Sequence, residues 1–340
     1  MPGLFTTYYH FRSRLKGLPR DMGWQLGLNR SLVKNATGSR ILLYHGICLR
    51  KPLRFNTIFI TLRSLEKQLR LYKKYFNVVS LEDHYQQRFS KDRFNICLTF
   101  DDGFANNYQY VLPLLEQYQV PATFFITGIR EAGYDILWND LLSMAGKYGP
   151  RKFQLGLEEF IKQPDHRYRS SGGVPLAQLL RDTGFERKAE MMALLEPLLS
   201  FRTKATADYW LQMNEDQVRQ LSASKWVTIG SHGYYHNDLA KLSADKAKDE
   251  MILSKQYLEK ITGKEISRVA FPYGSYTKET VAIAKKSGFS QLLATEFLFP
   301  EDRQDATLRE RLTINPFISG INQLYANIRG NYGPASKQRV

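Results

Sequence analysis

At 340 residues, 43% hydrophobic and 24% charged, the chain can bury a full core without disulfide staples, which excludes disordered, collagenous and low-complexity classes. It has no apolar run of roughly 18 residues, so no transmembrane helix is expected, and its two cysteines, Cys48 and Cys97, cannot build a disulfide framework or a cysteine-based zinc site. Lysine and arginine outnumber aspartate and glutamate by 48 to 33, a net charge of +15, and residues 1–40 hold seven basic residues against one acid, Asp21.

That basic arm, with Tyr8, Tyr9, Phe11 and Trp24 among its charges, suits phosphates or an anionic membrane interface as well as it suits a solvated segment packed on the domain. Residues 1–9 lack the basic start of a secretory signal and no apolar stretch follows them, so the expected location is cytoplasmic, peripheral at the inner face of a membrane. Residues 41–44 read as a short strand ending at His45-Gly46. Leu62, Leu65, Leu69, Tyr72 and Phe76 then share a helical face that Thr61 can cap, and residues 77–80 read as a strand. Residues 96–100 form a strand stopped by Asp101-Asp102-Gly103. Tyr110, Leu114, Leu115 and Tyr118 suit a helix with Pro113 in its first turn or at a kink, and residues 121–127 are a strongly apolar strand.

Residues 131–225 break this rhythm with a helical pattern at 179–199 and a soft segment at 163–175, and read as a helical insertion near the mouth of the site. The rhythm resumes with a strand at 226–229. A helix lined by Ala247, Met251, Ser254, Leu258 and Ile261 follows and ends at Gly263. A strand at 268–273, a helix at 278–286 and strands at 289–294 and 312–314 complete it. Strands alternating with helices predict an α/β protein with a largely parallel sheet. The expected organisation is a basic arm over 1–40, the α/β domain with its insertion over 41–320, and a tail over 321–340 that frays from Gly330.

Three segments carry chemistry. Thr99-Phe100-Asp101-Asp102-Gly103 ends a strand in two adjacent carboxylates, which at the C-terminal edge of a parallel sheet can divide metal ligation from proton transfer; Asp-Gly is also a common turn. His232-Gly233-Tyr234-Tyr235-His236 follows another strand. On a helical turn its spacing would put both imidazoles on one face, where two nitrogens reach one ion, although a lone pair of this kind is also a common surface feature. Phe271-Pro272-Tyr273-Gly274 would bring rigid backbone to the same rim, or serve only as a stiff turn.

In this order, the three segments resemble the motifs of the NodB-type polysaccharide deacetylases, carbohydrate esterase family 4. The resemblance runs from about residue 41 to 314. It implies a distorted (β/α) barrel of about seven parallel strands, a divalent metal ion with Zn2+ the expectation, and hydrolysis of an N-acetyl group on a sugar. Carried over by position, Asp102, His232 and His236 would ligate the metal, Asp101 would act as general base, and Tyr273 would offer its backbone N–H to the oxyanion. Three departures stand out. Gly233 replaces the usual Ser or Thr, Ala270 replaces the Arg that holds the base, with Arg268 a partial substitute, and no histidine follows His236 to act as general acid. Leu43-Tyr44-His45-Gly46 resembles the N-terminal element of the poly-N-acetylglucosamine deacetylase branch, which implies that His45 takes the general-acid place, a strand-end histidine bonded to backbone being the alternative. His10, His84 and His166 stand in no such context.

The implied function is removal of N-acetyl groups from an amino-sugar glycan or lipid-linked sugar precursor, with peripheral membrane contact through residues 1–40. The alternatives are an O-acetyl esterase or other deacylase on the same barrel, and a degenerate barrel that binds glycan or membrane without turnover. No nucleic-acid partner is expected, because the net charge comes without a recognition motif. The residues that would contact the sugar are not identifiable from sequence.

Overall fold

The computed structural model describes residues 15–55 and 57–332. Eight parallel segments form the central sheet: β1 (Ser39–Tyr44), β2 (Asn95–Phe100), β3 (Ala122–Ile126), β4 (Val227–Ser231), β5 (Arg268–Ala270), β6 (Gln291–Ala294), β7 (Leu308–Glu310) and β8 (Leu312–Thr313). Their order is β7-β6-β5-β4-β3-β2-β1-β8, and a short strand at Asn77–Val78 pairs alongside β2. Only Arg311 separates β7 from β8. One extended run therefore pairs with β6 by its first half and with β1 by its second, and brings the two edges of the sheet together. The result is a nearly closed (β/α) barrel. The expected count of about seven strands counts that run once.

Burial on both faces explains the composition of the strands. Every residue of β2, β3 and β6 is buried, which in parallel sheets produces continuous apolar runs such as Ala-Thr-Phe-Phe-Ile. The helices begin and end where local chemistry dictates. Thr61 Oγ1 accepts the Ser64 N–H at 3.1 Å to start Leu62–Tyr75, and Gly263 (φ 63°) ends Ala244–Thr262 in a left-handed turn. Pro113 stands at the start of helix Leu112–Tyr118, directly after a π-helical turn at Asn107–Val111.

The insertion holds more than helices. Between helix Trp138–Tyr148 and helices Leu176–Arg181 and Phe185–Leu195 lies a three-stranded antiparallel sheet, Lys152–Leu155, Glu158–Lys162 and Tyr168–Ser170. It packs in an apolar cluster around Trp138, Leu141, Phe160 and Met192 that also takes in Cys48, Phe59 and Phe104. Residues 15–25 of the basic arm are helical. The segment expected as a tail from 321 begins as a helix, Gly320–Arg329, which packs on Leu62–Tyr75 and on residues 15–25, whereas the expectation for residues 333–340 lies outside the described residues. Both cysteines are free and buried. Among the described residues no helix is long and apolar enough to cross a membrane.

Register sets the site. Leu43 pairs with Thr99 and Tyr44 with Phe100, so His45 and Asp101 leave the sheet at one level, where the Asp101 N–H donates to Tyr44 O at 2.9 Å. Ser231 pairs with Ile126 and Val269, which brings His232 to the same rim.

Candidate metal centre and active site

Asp102, His232 and His236 are all buried, and one ligand atom from each lies within 4.8 Å of the others. The expected trio is thus brought together, but not on a helix. Residues 232–238 form a loop, in which Gly233 (φ 74°) and His236 (φ 57°) are left-handed. Gly233 is suited to its place, because a Cβ there would meet Glu250 Oε2 at 3.3 Å in a conformation that side chains rarely adopt. This accounts for the first departure from the family pattern.

The donor set fits a cation. His232 Nδ1 lies 2.8 Å from the Ala270 carbonyl, which can only accept, so the ring proton sits on Nδ1 and the lone pair of Nε2 faces inward. That Nε2 is 3.4 Å from Asp102 Oδ1, and His236 Nε2 is 3.3 Å from the same oxygen, yet Asp102 Oδ1 makes no well-aligned hydrogen bond. Buried acceptor atoms facing one another in this way need a positive charge between them. Two nitrogens and one carboxylate oxygen make a three-ligand set that leaves positions open, the form of a catalytic rather than a structural site.

Asp101 is the buried neighbour of this trio, its Oδ2 3.6 Å from His232 Nε2. Arg268 does not hold it, despite sharing a strand face with Ala270: Arg268 bonds Gln291 at 2.9 Å and pairs with Glu82. The partner is Arg311, at the seam that closes the barrel. Its two terminal nitrogens each donate to an Asp101 oxygen at 2.7 Å, and one also reaches Thr99 Oγ1 at 3.3 Å. Burial pushes the Asp101 carboxyl up, but the Arg311 guanidinium and His232 more than offset it and hold it below the usual range. Burial acts likewise on Asp102, and the adjacent imidazoles of His232 and His236 more than offset it and pull it well below the usual range.

His45 lies at the edge of the same group. Its ring is half-buried, its Nδ1 has no partner, and Asp102 and Asp101 are near enough to act on it, although burial dominates and lowers its pKa. It is not one of the three converging ligands. Tyr273 occupies a turn at φ 61°, closed by the Gly274 N–H donating to Phe271 O at 2.9 Å, and its hydroxyl lies 3.3 Å from His236 Nδ1.

The insertion also reaches the site, through residues that carry no motif. Trp138 Nε1 donates to His236 O at 3.3 Å. Lys188, fully buried, donates to Asn237 Oδ1, and burial brings its pKa down to about 8. Glu250 accepts from the Tyr234 and Tyr235 N–H groups at 2.7 and 2.9 Å and from Asn237, which fixes the loop between the histidines. Arg181 bonds Asp238 at 2.8 Å and lies 4.6 Å over the Tyr273 ring. Asp140 is buried with Oδ2 unpartnered, and burial and Asp102 raise its pKa well above the usual range.

A family model described as polysaccharide deacetylase matches residues 90–149 and 194–292, which carry β2 and β3 and then β4, β5 and the start of β6. Over these residues the chain is similar to the polysaccharide deacetylases. The protein YxkH of Bacillus subtilis, which carries a polysaccharide deacetylase name, is 20% identical over 66% of this chain and 53% of its own length. The chain spans about half the length of the curated relatives it matches. Among solved structures, the deacetylase PplD of Streptococcus pyogenes, in complex with acetate, has a TM-score of 0.56 at 18% identity, over 86% of this chain and 99% of that one. IcaB from Ammonifex degensii has a TM-score of 0.53 at 17% identity, over 87% and 98%. The structural likenesses support the barrel fold.

Proposed function

We propose that this protein is a metal-dependent hydrolase of the polysaccharide deacetylase family that removes N-acetyl groups from an amino-sugar-containing glycan. The observation that carries the reading is the convergence of Asp102, His232 and His236 beside a carboxylate, Asp101, gripped by arginine at both oxygens. A divalent ion, for which Zn2+ suits two imidazoles and a carboxylate, would be held by those three and would supply Lewis-acid polarisation of the acetyl carbonyl.

The chain's own groups do the rest. Asp101, kept ionised by Arg311, retains lone pairs to accept a proton from the attacking water. The turn at Tyr273 offers backbone N–H to the oxyanion, the role that the family pattern gives this position. His45 is placed to protonate the departing nitrogen, since an amide leaves slowly as an anion. Its burial-lowered pKa makes the protonated ring a ready donor, and its free Nδ1 leaves the ring uncommitted to structure. Such a place for an N-terminal histidine supports a kinship with the poly-N-acetylglucosamine deacetylase branch. Asp140, with an unpartnered oxygen near Asp102 and Tyr273, is the candidate to hydrogen-bond a sugar hydroxyl.

A degenerate, non-hydrolytic barrel is disfavoured because two of the departures are met from elsewhere in the chain. Arg311 replaces the missing arginine at Ala270, and His45 supplies an imidazole where no later histidine exists. The test is acetate release by zinc-loaded and chelator-treated protein from N-acetylated glycans and O-acetylated controls. Release from the N-acetylated set, lost on chelation and regained with metal, is expected. Turnover of O-acetyl substrates alone would establish the esterase reading, and no turnover with a full complement of metal would establish the degenerate one.

A further inference from the structure

The described part of the basic arm is fastened to the barrel by one face and bare on the other. On the inner face of the helix at residues 15–25, Arg20 donates to Asn322 Oδ1 at 2.9 Å, and Asp21 Oδ1 accepts from Ser319 Oγ at 2.6 Å and from Asn322 at 3.0 Å. Trp24 is buried with Tyr75 and Tyr325 at ring separations of 5.1 and 6.3 Å. At 100° per residue, Leu15, Leu18, Met22 and Leu26 fall within about 80° on the opposite side. They are 47, 48, 59 and 71% exposed, and Leu28 and Leu32 just beyond are 77 and 63% exposed. Six of the thirteen exposed large hydrophobic residues among those described thus lie within eighteen positions, an apolar concentration that a solvated segment has no reason to carry.

Its charge has one sign. Lys16, Arg30 and Lys34 are exposed within the same stretch and enter no salt bridge among the described residues. The single acid there, Asp21, is turned inward to Ser319 and Asn322. We propose that the Leu15–Leu32 face docks the protein on an anionic lipid bilayer, with the leucines and Met22 entering the headgroup boundary and Lys16, Arg30 and Lys34 meeting lipid phosphates. A second copy of the chain is the poorer occupant, because pairing this face with itself opposes like charges. The face has a fixed relation to the cleft. Ser319 and Asn322 open the helix that follows β8, at the strand C-terminal end where Asp101 and His232 stand. The start of the face thus lies at the same end of the barrel as the cleft, which suits a saccharide carried on lipid; this corollary rests on the hydrolase reading, whereas the docking does not.

The test is co-sedimentation of the full chain with vesicles of phosphatidylcholine, or of phosphatidylcholine with phosphatidylglycerol. Preferential, salt-sensitive binding to the anionic vesicles is expected. Leu18→Glu with Met22→Glu should weaken it at least tenfold, as should Lys16→Gln with Lys34→Gln. All four residues are exposed, so thermal melting and acetate release from a soluble substrate should not change, and a failure of docking is thereby separable from a failure of the hydrolase reading. Failure of the wild type to bind anionic vesicles would overturn the proposal. So would undiminished binding by the Leu18/Met22 variant, or a dimer seen by light scattering that the same variant dissolves.

Discussion

Replacing Arg311 with Met keeps most of its volume and removes the guanidinium that grips both oxygens of Asp101. Both side chains are almost wholly shielded, at 1 and 2% exposure, so the remaining carboxylate has no water to replace its partner. Breaking a buried pair from one side costs about 3–5 kcal/mol. At roughly 2.1 cal/mol/K per residue of unfolding entropy, a chain of this length should lose about 4–7 °C of melting temperature. The same loss acts on the chemistry. With Arg311 present, the carboxyl sits below its ordinary range, so its contribution to stability holds above the unfolded-state pKa near 4 and fades as pH falls through the lower folded value. Without it, burial dominates and the pKa rises, so the acid limb of the kcat/KM profile should move to higher pH. Activity at a fixed neutral pH should fall by about 10² or more as the base becomes protonated. Arg311→Lys, which restores one charge without the fork, should recover stability more than rate. Zinc-loaded variants with calorimetric melting and a pH–rate series on one N-acetylated substrate make the measurement. An Arg311→Met protein with an unshifted acid limb and less than threefold loss of kcat/KM would refute the role given to this pair.

The wild type should carry or take up close to one divalent ion per chain by elemental analysis, and His232→Ala or His236→Ala should abolish uptake while leaving the far-ultraviolet dichroism intact. Asp101→Asn should retain the ion and lose about 10² or more in kcat, the scale of a missing general base; loss of the ion instead would exchange the roles of the two aspartates. His45→Gln should retain the ion and lose far more turnover on an amide than on an activated acetate ester, whose leaving group needs little protonation, and an equal loss on both would remove His45 from the acid's place. Lys188→Met should weaken metal affinity by about tenfold with KM little changed, because it loosens Asn237 beside His236 rather than the substrate; unchanged affinity would confine Lys188 to packing the insertion.

The motif residues were legible because they are contiguous. A strand that ends in two carboxylates declares its own position, and so does a histidine pair placed after a strand. The conformation of that pair was not legible: the spacing suggested a helical turn, and two left-handed residues in a loop bring the same nitrogens together. Arg311 is not legible in the sequence because its partner is 210 positions away and nothing local distinguishes it, between strands of three and two residues, from Arg309 two residues before it. The helix at Gly320–Arg329 was hidden by its own buried amides. Asn322, Gln323 and Asn327 occupy positions that would be apolar in a plain amphipathic helix, since they bond Asp21, Tyr332 and Tyr72. Asp140 and Lys188 lie in an insertion whose charged hairpin masks its strands, and no spacing ties either residue to the histidines.

Part of the strain in the backbone stands at the candidate site. Of seven non-glycine residues at positive φ among those described, three are Asp102, His236 and Tyr273. A left-handed conformation costs a residue of this kind about 1–2 kcal/mol, so each needs neighbours that leave it no alternative. Those neighbours are present for the histidine loop and Tyr273, and come from the insertion and from a barrel helix. Trp138 and Lys188 of the insertion hold the backbone at His236 and the amide of Asn237. Glu250 of a barrel helix holds Tyr234, Tyr235 and Asn237. Arg181 covers the Tyr273 ring while it bonds Asp238. The insertion is therefore not an ornament beside a self-sufficient barrel, because the loop that carries one of the candidate metal-binding histidines is clamped between the two. Variation in the insertion should alter metal affinity as well as substrate choice, whereas the opposite side of the site, where Arg311 fixes Asp101 at the seam of the barrel, should be indifferent to it.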